Sequence, residues 1–271
     1  MAPSSSSFGA VTTAGLSSPL RYRLWRSEAD APLGADLPLL LLLHGSGGDE
    51  RSWDAGIEAL EQAVDEGRLP PVAAVAPASG TSWWVDGREA VESAVIDGLL
   101  PHVRGELGVG PTGALVVAGF SMGGYGAVRY ALRYPKLFAG AIAMSSALYE
   151  DLPPPGSSAR TSGAFGTPFD DGCWRERNYP ALLDAYRASG RRVPIFLAAG
   201  GGDWNEPAGW RFNTEVQSLL LFERLVKEIG GPGRMKIDAG GHDWAFWRPA
   251  FLEGLRYLLG SPARFDRARR P

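Results

Sequence analysis

Apolar residues along this chain alternate between two patterns. Short runs at residues 37–43, 72–76, 114–118, 139–144 and 193–198 are almost wholly apolar, as expected of central strands covered on both faces. Residues 20–25 and 234–237 also read as strands. Between these runs the apolar positions recur at helical spacing. Trp53, Ile57, Leu60 and Val64 mark one helix, and Val91, Val95, Leu99 and Val103 a second with Pro101 as an irregularity. Further helices are predicted at 123–134, 178–189, 214–229 and 246–259. In the 214–229 helix the predicted buried side carries Val216, Leu219, Leu220, Phe222, Leu225 and Val226.

Strands alternating with helices predict an α/β fold, with a mostly parallel central sheet flanked by helices. The pattern breaks at 148–177, where three consecutive prolines and several Ser and Gly residues show no period. That segment is predicted to be a loop-rich insertion over the sheet's edge or the active site. The organisation expected is a flexible segment at 1–18, one domain over 19–262 and a basic tail at 263–271.

Composition narrows the functional classes. A chain of 271 residues, 45% hydrophobic, suits one domain with a modest insertion. The formal net charge is -3, with both signs interspersed. That leaves no basic footprint for nucleic acid and no polybasic run for anionic lipid. No apolar run approaches the roughly 20 residues of a membrane span. The first residues lack the charged start and apolar core of a signal peptide, so a cytoplasmic location is expected. A single cysteine, Cys173, rules out an intramolecular disulfide and a multi-cysteine zinc site. It reads as a small apolar residue.

The candidate chemistry begins at Gly119-Phe120-Ser121-Met122-Gly123. This Gly-x-Ser-x-Gly segment follows an apolar strand and precedes a helix, the context of the nucleophile turn in the α/β-hydrolase fold. The serine takes a strained backbone at a sharp turn, and flanking glycines let strand and helix approach. A serine hydroxyl needs a base, and in this fold the order along the chain is Ser, acid, His. Of the 3 histidines, His44, His102 and His242, only His242 follows Ser121. His102 reads as a helix-face residue. The acid must orient the imidazole. Asp203 follows the 193–198 strand and a triple glycine, with Glu206 the runner-up. Asp238 lies close to His242 in sequence, and Glu215 opens a helix.

An acyl-transfer intermediate also needs fixed donors for its oxyanion. One is expected to be the N–H of Met122. The other is expected from the loop His44-Gly45-Ser46-Gly47-Gly48, with Ser46 the first choice, Gly47 the second, and His44 holding the loop. No Gly-Lys-Ser/Thr ending supports a phosphate loop.

Four blocks together resemble a known family. They are His44-Gly45-Ser46-Gly47-Gly48-Asp49-Glu50; Ser82-Trp83-Trp84; the Ser121 block continued through Gly124-Tyr125-Gly126-Ala127; and Gly240-Gly241-His242-Asp243-Trp244-Ala245-Phe246-Trp247. In this order they resemble the esterases related to S-formylglutathione hydrolase, feruloyl esterase domains and mycolyltransferases. The resemblance implies hydrolysis of a small-molecule carboxylic ester without metal or organic cofactor. Trp84 and Trp204, on loops beside the motifs, are the expected pocket walls. Two alternatives stand beside hydrolysis. One is acyl transfer to an alcohol, as in mycolyltransferases. The other is a non-catalytic binding module, against which an intact Ser, Asp and His set argues.

Overall fold

The computed structural model describes residues 5–27, 37–106, 108–110, 112–203 and 209–260. Eight strands form one sheet: β1 (Ser5–Val11), β2 (Leu20–Arg26), β3 (Leu39–Leu43), β4 (Ala73–Pro77), β5 (Leu115–Phe120), β6 (Gly140–Met144), β7 (Ile195–Gly200) and β8 (Gly233–Asp238). Their spatial order is β1-β2-β4-β3-β5-β6-β7-β8. The β1–β2 and β2–β4 pairs are antiparallel, and every pair from β4 to β8 is parallel. Because the parallel strands point one way, their carboxyl ends share one edge, where open α/β sheets place their sites.

The helices are α1 (Asp54–Asp65), α2 (Val91–Ser93), α3 (Met122–Arg133), α4 (Asp171–Arg177), α5 (Leu183–Ala188), α6 (Thr214–Glu223) and α7 (Trp244–Leu259). They divide the core in two. Leu40, Leu42, Val116, Ile142 and Phe196 pack with Ile57 and Leu60 of α1 and Phe251 and Leu255 of α7. Their strand neighbours Leu39, Leu41, Val117, Ala143 and Leu197 face the other way, onto Tyr125 and Val128 of α3 and Leu221 of α6. The whole of β3 is therefore inaccessible, the physical origin of its unbroken leucine run. No described helix is long and apolar enough to cross a membrane.

Three expectations are corrected. Ser5–Val11, placed in the flexible segment, is a full strand registered from Ser5 against Arg26 to Val11 against Leu20. It is an edge strand held by backbone bonds, with mostly exposed side chains, so no apolar pattern marks it. The buried side of α6 is also different. Leu219 and Leu220 are exposed while Gln217, Ser218 and Leu221 are buried. Gln217 is drawn inward because its amide accepts from the Glu150 N–H and donates to the Arg211 carbonyl. The helix read at 214–229 also changes to wider π-type turns at Arg224–Glu228.

The insertion after β6 is packed rather than open. It carries a short helix at Ser158–Arg160 as well as α4. Phe165 and Trp174 are fully buried against Trp83, and Trp174 stacks on Tyr125 of α3. The stretch around Pro101 is irregular as expected, with π-type turns at Ala94–Leu99 and His102–Glu106. The basic tail at 263–271 lies outside the described residues.

Candidate functional site

Ser121 sits between the end of β5 and the start of α3, with φ 57 and ψ -123. A non-glycine residue there is strained, and the surroundings hold it in place. The Ser121 N–H donates to the Met144 carbonyl, and its carbonyl accepts from the Tyr125 and Ala147 N–H groups. The glycines are dictated by close approach. A Cβ on Gly119 would lie 2.0 Å from the Gly123 carbonyl oxygen, and one on Gly123 would lie 2.0 Å from the Leu43 oxygen. Met122 opens α3, so its N–H has no intrahelical acceptor and faces the space before the helix.

The His44–Gly48 loop leaves the end of β3 beside this turn. A Cβ on Gly45 would be 3.4 Å from Ser121 Cβ. The loop's amides are partly committed: the Gly47 N–H donates to the Gly80 carbonyl at 2.9 Å and the Gly48 N–H to Gly45 at 3.1 Å. Gly47, the second choice as oxyanion donor, is thus already engaged, while Ser46 is exposed at the loop's tip. His44 is buried beneath the loop. Its Nδ1 lies 2.6 Å from the Gly45 oxygen and its Nε2 accepts the Ser79 N–H at 3.0 Å. The two contacts specify a neutral ring with the proton on Nδ1. Burial pushes the His44 pKa down to about 4, against weaker upward pulls from the Gly45 carbonyl and the Asp49 and Glu50 charges.

Across the sheet, Asp203 follows β7 and His242 follows β8. Both carboxylate oxygens of Asp203 lie 3.0 Å from His242 Nδ1. Asp203 is buried, and the His242 side chain is 45% exposed. Thr214 Oγ1 donates to Asp203 Oδ2 at 3.1 Å. Burial pushes the Asp203 carboxyl up, but hydrogen bonds and charge from His242, with hydrogen bonds from Ser145 and Thr214, outweigh it and hold the carboxyl below its ordinary value. An ionised carboxylate is acceptor-only, so Nδ1 carries the proton and Nε2 keeps its lone pair.

Ser145, Thr214 and Trp247 were not singled out as site residues by the sequence. Ser145 is fully buried after β6 and has φ 44. Its Oγ accepts the Trp247 Nε1–H at 2.9 Å, which leaves its own proton for Asp203. Trp247 lies edge-on to His242 at 5.0 Å and stacks on Phe120, next to Ser121, at 4.3 Å. One ring thus ties the histidine, the carboxylate's donor and the serine turn together. Among the described residues, the non-glycine residues with positive φ are Trp83, Trp84, Ser121 and Ser145; these strained positions follow β4, β5 and β6, beside the same sheet edge.

Trp84 is not a pocket wall. It is fully buried, donates Nε1–H to the His44 carbonyl at 3.1 Å and lies 4.9 Å from the His44 ring. It supports the loop from below. Trp204 and Glu206 lie outside the described residues. His102 makes a 2.9 Å contact from Nε2 to the Tyr22 hydroxyl, away from the serine.

Residues 22–258 match the model of the family described as Putative esterase. An acetyl esterase of Caldicellulosiruptor saccharolyticus is 28% identical over 237 residues, covering 82% of this chain and 84% of that protein. An esterase of Mycobacterium tuberculosis is 30% identical over 236 residues, covering 77% of this chain; the chain spans about half of that relative, 49%. A solved structure of a ferulic acid esterase superposes with a TM-score of 0.75 at 21% identity, covering 95% of this chain and 98% of that one. The fold shared with it is the α/β-hydrolase fold.

Proposed function

This chain belongs to the Putative esterase family, and we propose that it hydrolyses carboxylic esters through an acyl-enzyme on Ser121, with His242 as base and Asp203 as the acid that orients it. The observation that carries the reading is the Asp203–His242 pair, 3.0 Å apart at both carboxylate oxygens, at the sheet edge that also bears the strained Ser121 turn.

Ser121 Oγ attacks the ester carbonyl as its proton passes to His242 Nε2. The imidazolium that forms is stabilised through Nδ1–H by the ionised Asp203. The oxyanion is bound by the N–H groups of Met122 and Ser46, each such donor contributing about 3–4 kcal/mol. The intermediate collapses as His242 returns the proton to the leaving alcohol. Water then repeats the sequence on the acyl-enzyme and frees the acid and Ser121. Ser145 and Trp247 act as positioning residues for Asp203 and His242.

The test is Ser121→Ala. Hydrolysis of short-chain nitrophenyl esters and labelling by a fluorophosphonate probe should both vanish while the circular dichroism spectrum stays unchanged. Unaltered turnover in this variant would sink the proposal.

A further inference from the structure

The apolar spacing of α6 asks for more burial than this chain supplies. Among the described residues, the large apolar side chains left exposed are Phe8, Trp210, Leu219, Leu220 and Ile237. Phe8 lies under the Arg51 guanidinium, 4.3 Å from its ring centre. Leu219, Leu220 and Ile237 lie on α6 and β8, at one end of the sheet. A Cβ on Gly233 would lie 3.0 Å from Val226 and 3.4 Å from Phe222. The helix row Val226, Phe222, Leu219 therefore runs along β8 toward its carboxyl end. Side chains alternate across a strand, so Met235 and Ile237 share the α6 face with Gly233. Leu219 and Ile237 thus form one exposed apolar strip beside the sheet edge.

The backbone at that edge is unpaired as well. Strand β8 ends the spatial order of the sheet. The Ile195 N–H donates to the Pro232 carbonyl and the Gly201 N–H to the Asp238 carbonyl. Residues 232, 234, 236 and 238 therefore turn their backbone groups toward β7, and Met235 and Ile237 turn theirs outward. No strand lies beyond them among the described residues. Such an edge accepts another strand unless charge or a bulge blocks it. Here the cations are drawn aside: Lys236 and Arg234 bond Glu253 of α7 at 2.8 and 3.0 Å, on the face opposite Ile237.

Charge selects the partner and the register. A second copy of β8, pairing antiparallel about a two-fold axis, must set outward backbone groups opposite outward ones. The possible centres are Met235, Lys236 and Ile237. Centred on Met235, Arg234 of each copy faces Lys236 of the other, a destabilising like-charge pair. Centred on Ile237, the pairing runs past Asp238, where β8 ends. Centred on Lys236, the strands overlap fully, Arg234 of each copy faces Asp238 of the other, and Met235 faces Ile237. The Arg234 and Asp238 side chains are 53% and 60% exposed, so both can reach across. The two Lys236 side chains meet only while each is bound to its own Glu253.

We propose that the β8–α6 edge is a dimer interface, with β8 of two copies paired in the register centred on Lys236. The axis places both α6 helices on one face of the joined sheet, where Leu219 and Leu220 cover the paired Met235 and Ile237 side chains. A stable interface buries about 800 Å² per partner, more than one strand edge supplies, so the α6 strip is a required part of it. The carboxyl ends of the two sheets point in opposite directions, so each catalytic edge opens away from the other copy.

Sedimentation velocity on the intact chain at micromolar concentration tests this. Wild type should sediment as a dimer, at twice the 28.9 kDa of one chain. Ile237→Lys and Leu219→Glu should each raise the dissociation constant by on the order of tenfold or more. Asp238→Arg alone sets Arg against Arg, and Arg234→Glu alone sets Glu against Asp, so each should be monomeric. Mixed in equal amounts, these two variants restore both opposite-charge pairs and should form a heterodimer. Circular dichroism checks that each variant folds, and recovery on mixing excludes misfolding as the cause of dissociation. A monomeric wild type would overturn the proposal, whether or not it binds phosphatidylcholine vesicles through the exposed strip. So would a dimer indifferent to Ile237→Lys and Leu219→Glu, or a mixture that stays monomeric.

Discussion

Acidification should unlock the oxyanion loop through His44, and the size of the effect follows from the structure. His44 is buried and neutral, accepting the Ser79 N–H on Nε2 and donating from Nδ1 to Gly45. A second proton would place a donor against the donor of Ser79, at a buried position where the charge is poorly solvated. The folded pKa of about 4 lies below the ordinary 6.5, so the unfolded chain binds the proton more readily. His44 therefore contributes stability that is fully present above pH 6.5 and is lost as the pH falls toward 4. At about 1.4 kcal/mol per tenfold difference in proton affinity, the loss from pH 7.5 to pH 4 comes to about 3 kcal/mol. The perturbation is His44→Gln, which retains an acceptor for Ser79 but does not titrate. Urea unfolding of both proteins, followed by the fluorescence of the 9 tryptophans, gives the stability difference at each pH. Carboxylates titrate alike in the two chains and cancel. Wild type should be the more stable at pH 7.5, and its advantage should shrink by about 3 kcal/mol by pH 4. An advantage that stays constant over that range would refute the assignment of a neutral, proton-excluding His44.

Further outcomes follow from the packing around the site. Trp247→Phe removes the donor to Ser145 while keeping the ring against Phe120, and should lower kcat for nitrophenyl acetate about tenfold with little change in KM; a change confined to KM would count against the positioning role. Arg129 pairs with the buried Glu92 at 2.8 Å and also donates to the Arg177 and Trp84 carbonyls. Arg129→Met should destabilise the fold by about 3 kcal/mol, the lower end for a broken buried pair, because Arg133 and Tyr134 still bind Glu92 at 3.0 and 2.8 Å; calorimetry reads this directly. Gly123→Ala should abolish soluble expression, since its Cβ would sit 2.0 Å from the Leu43 oxygen, whereas Gly67→Ala, with open space and only its φ of 69 against it, should cost about 1 kcal/mol.

Much of this protein was legible along the chain, and for local reasons. The apolar runs located the central strands because both faces of the sheet are covered, so every side chain in β3 must be apolar. The Ser121 turn was legible because contacts of 2.0 Å exclude any side chain at Gly119 and Gly123. His242 followed from chain order, and its neighbour Asp203 from its place after β7.

Tertiary structure alone decided what joins these pieces. Ser145 and Trp247 lie 102 residues apart, and a serine after a strand looks the same in sequence whether or not a tryptophan donates to it. Trp84 and the aromatic residues of a real pocket are the same residue types on the same kinds of loop, and only packing shows that its face is covered. Strand β1 escaped the pattern because backbone pairing at a sheet edge makes no demand on side chains. The face of α6 was misread because Gln217 is buried for its hydrogen bonds, and hydropathy does not record where a polar group will find partners. Periodicity reports the demands a fold makes on one segment, whereas partners between segments are fixed only when the chain closes on itself.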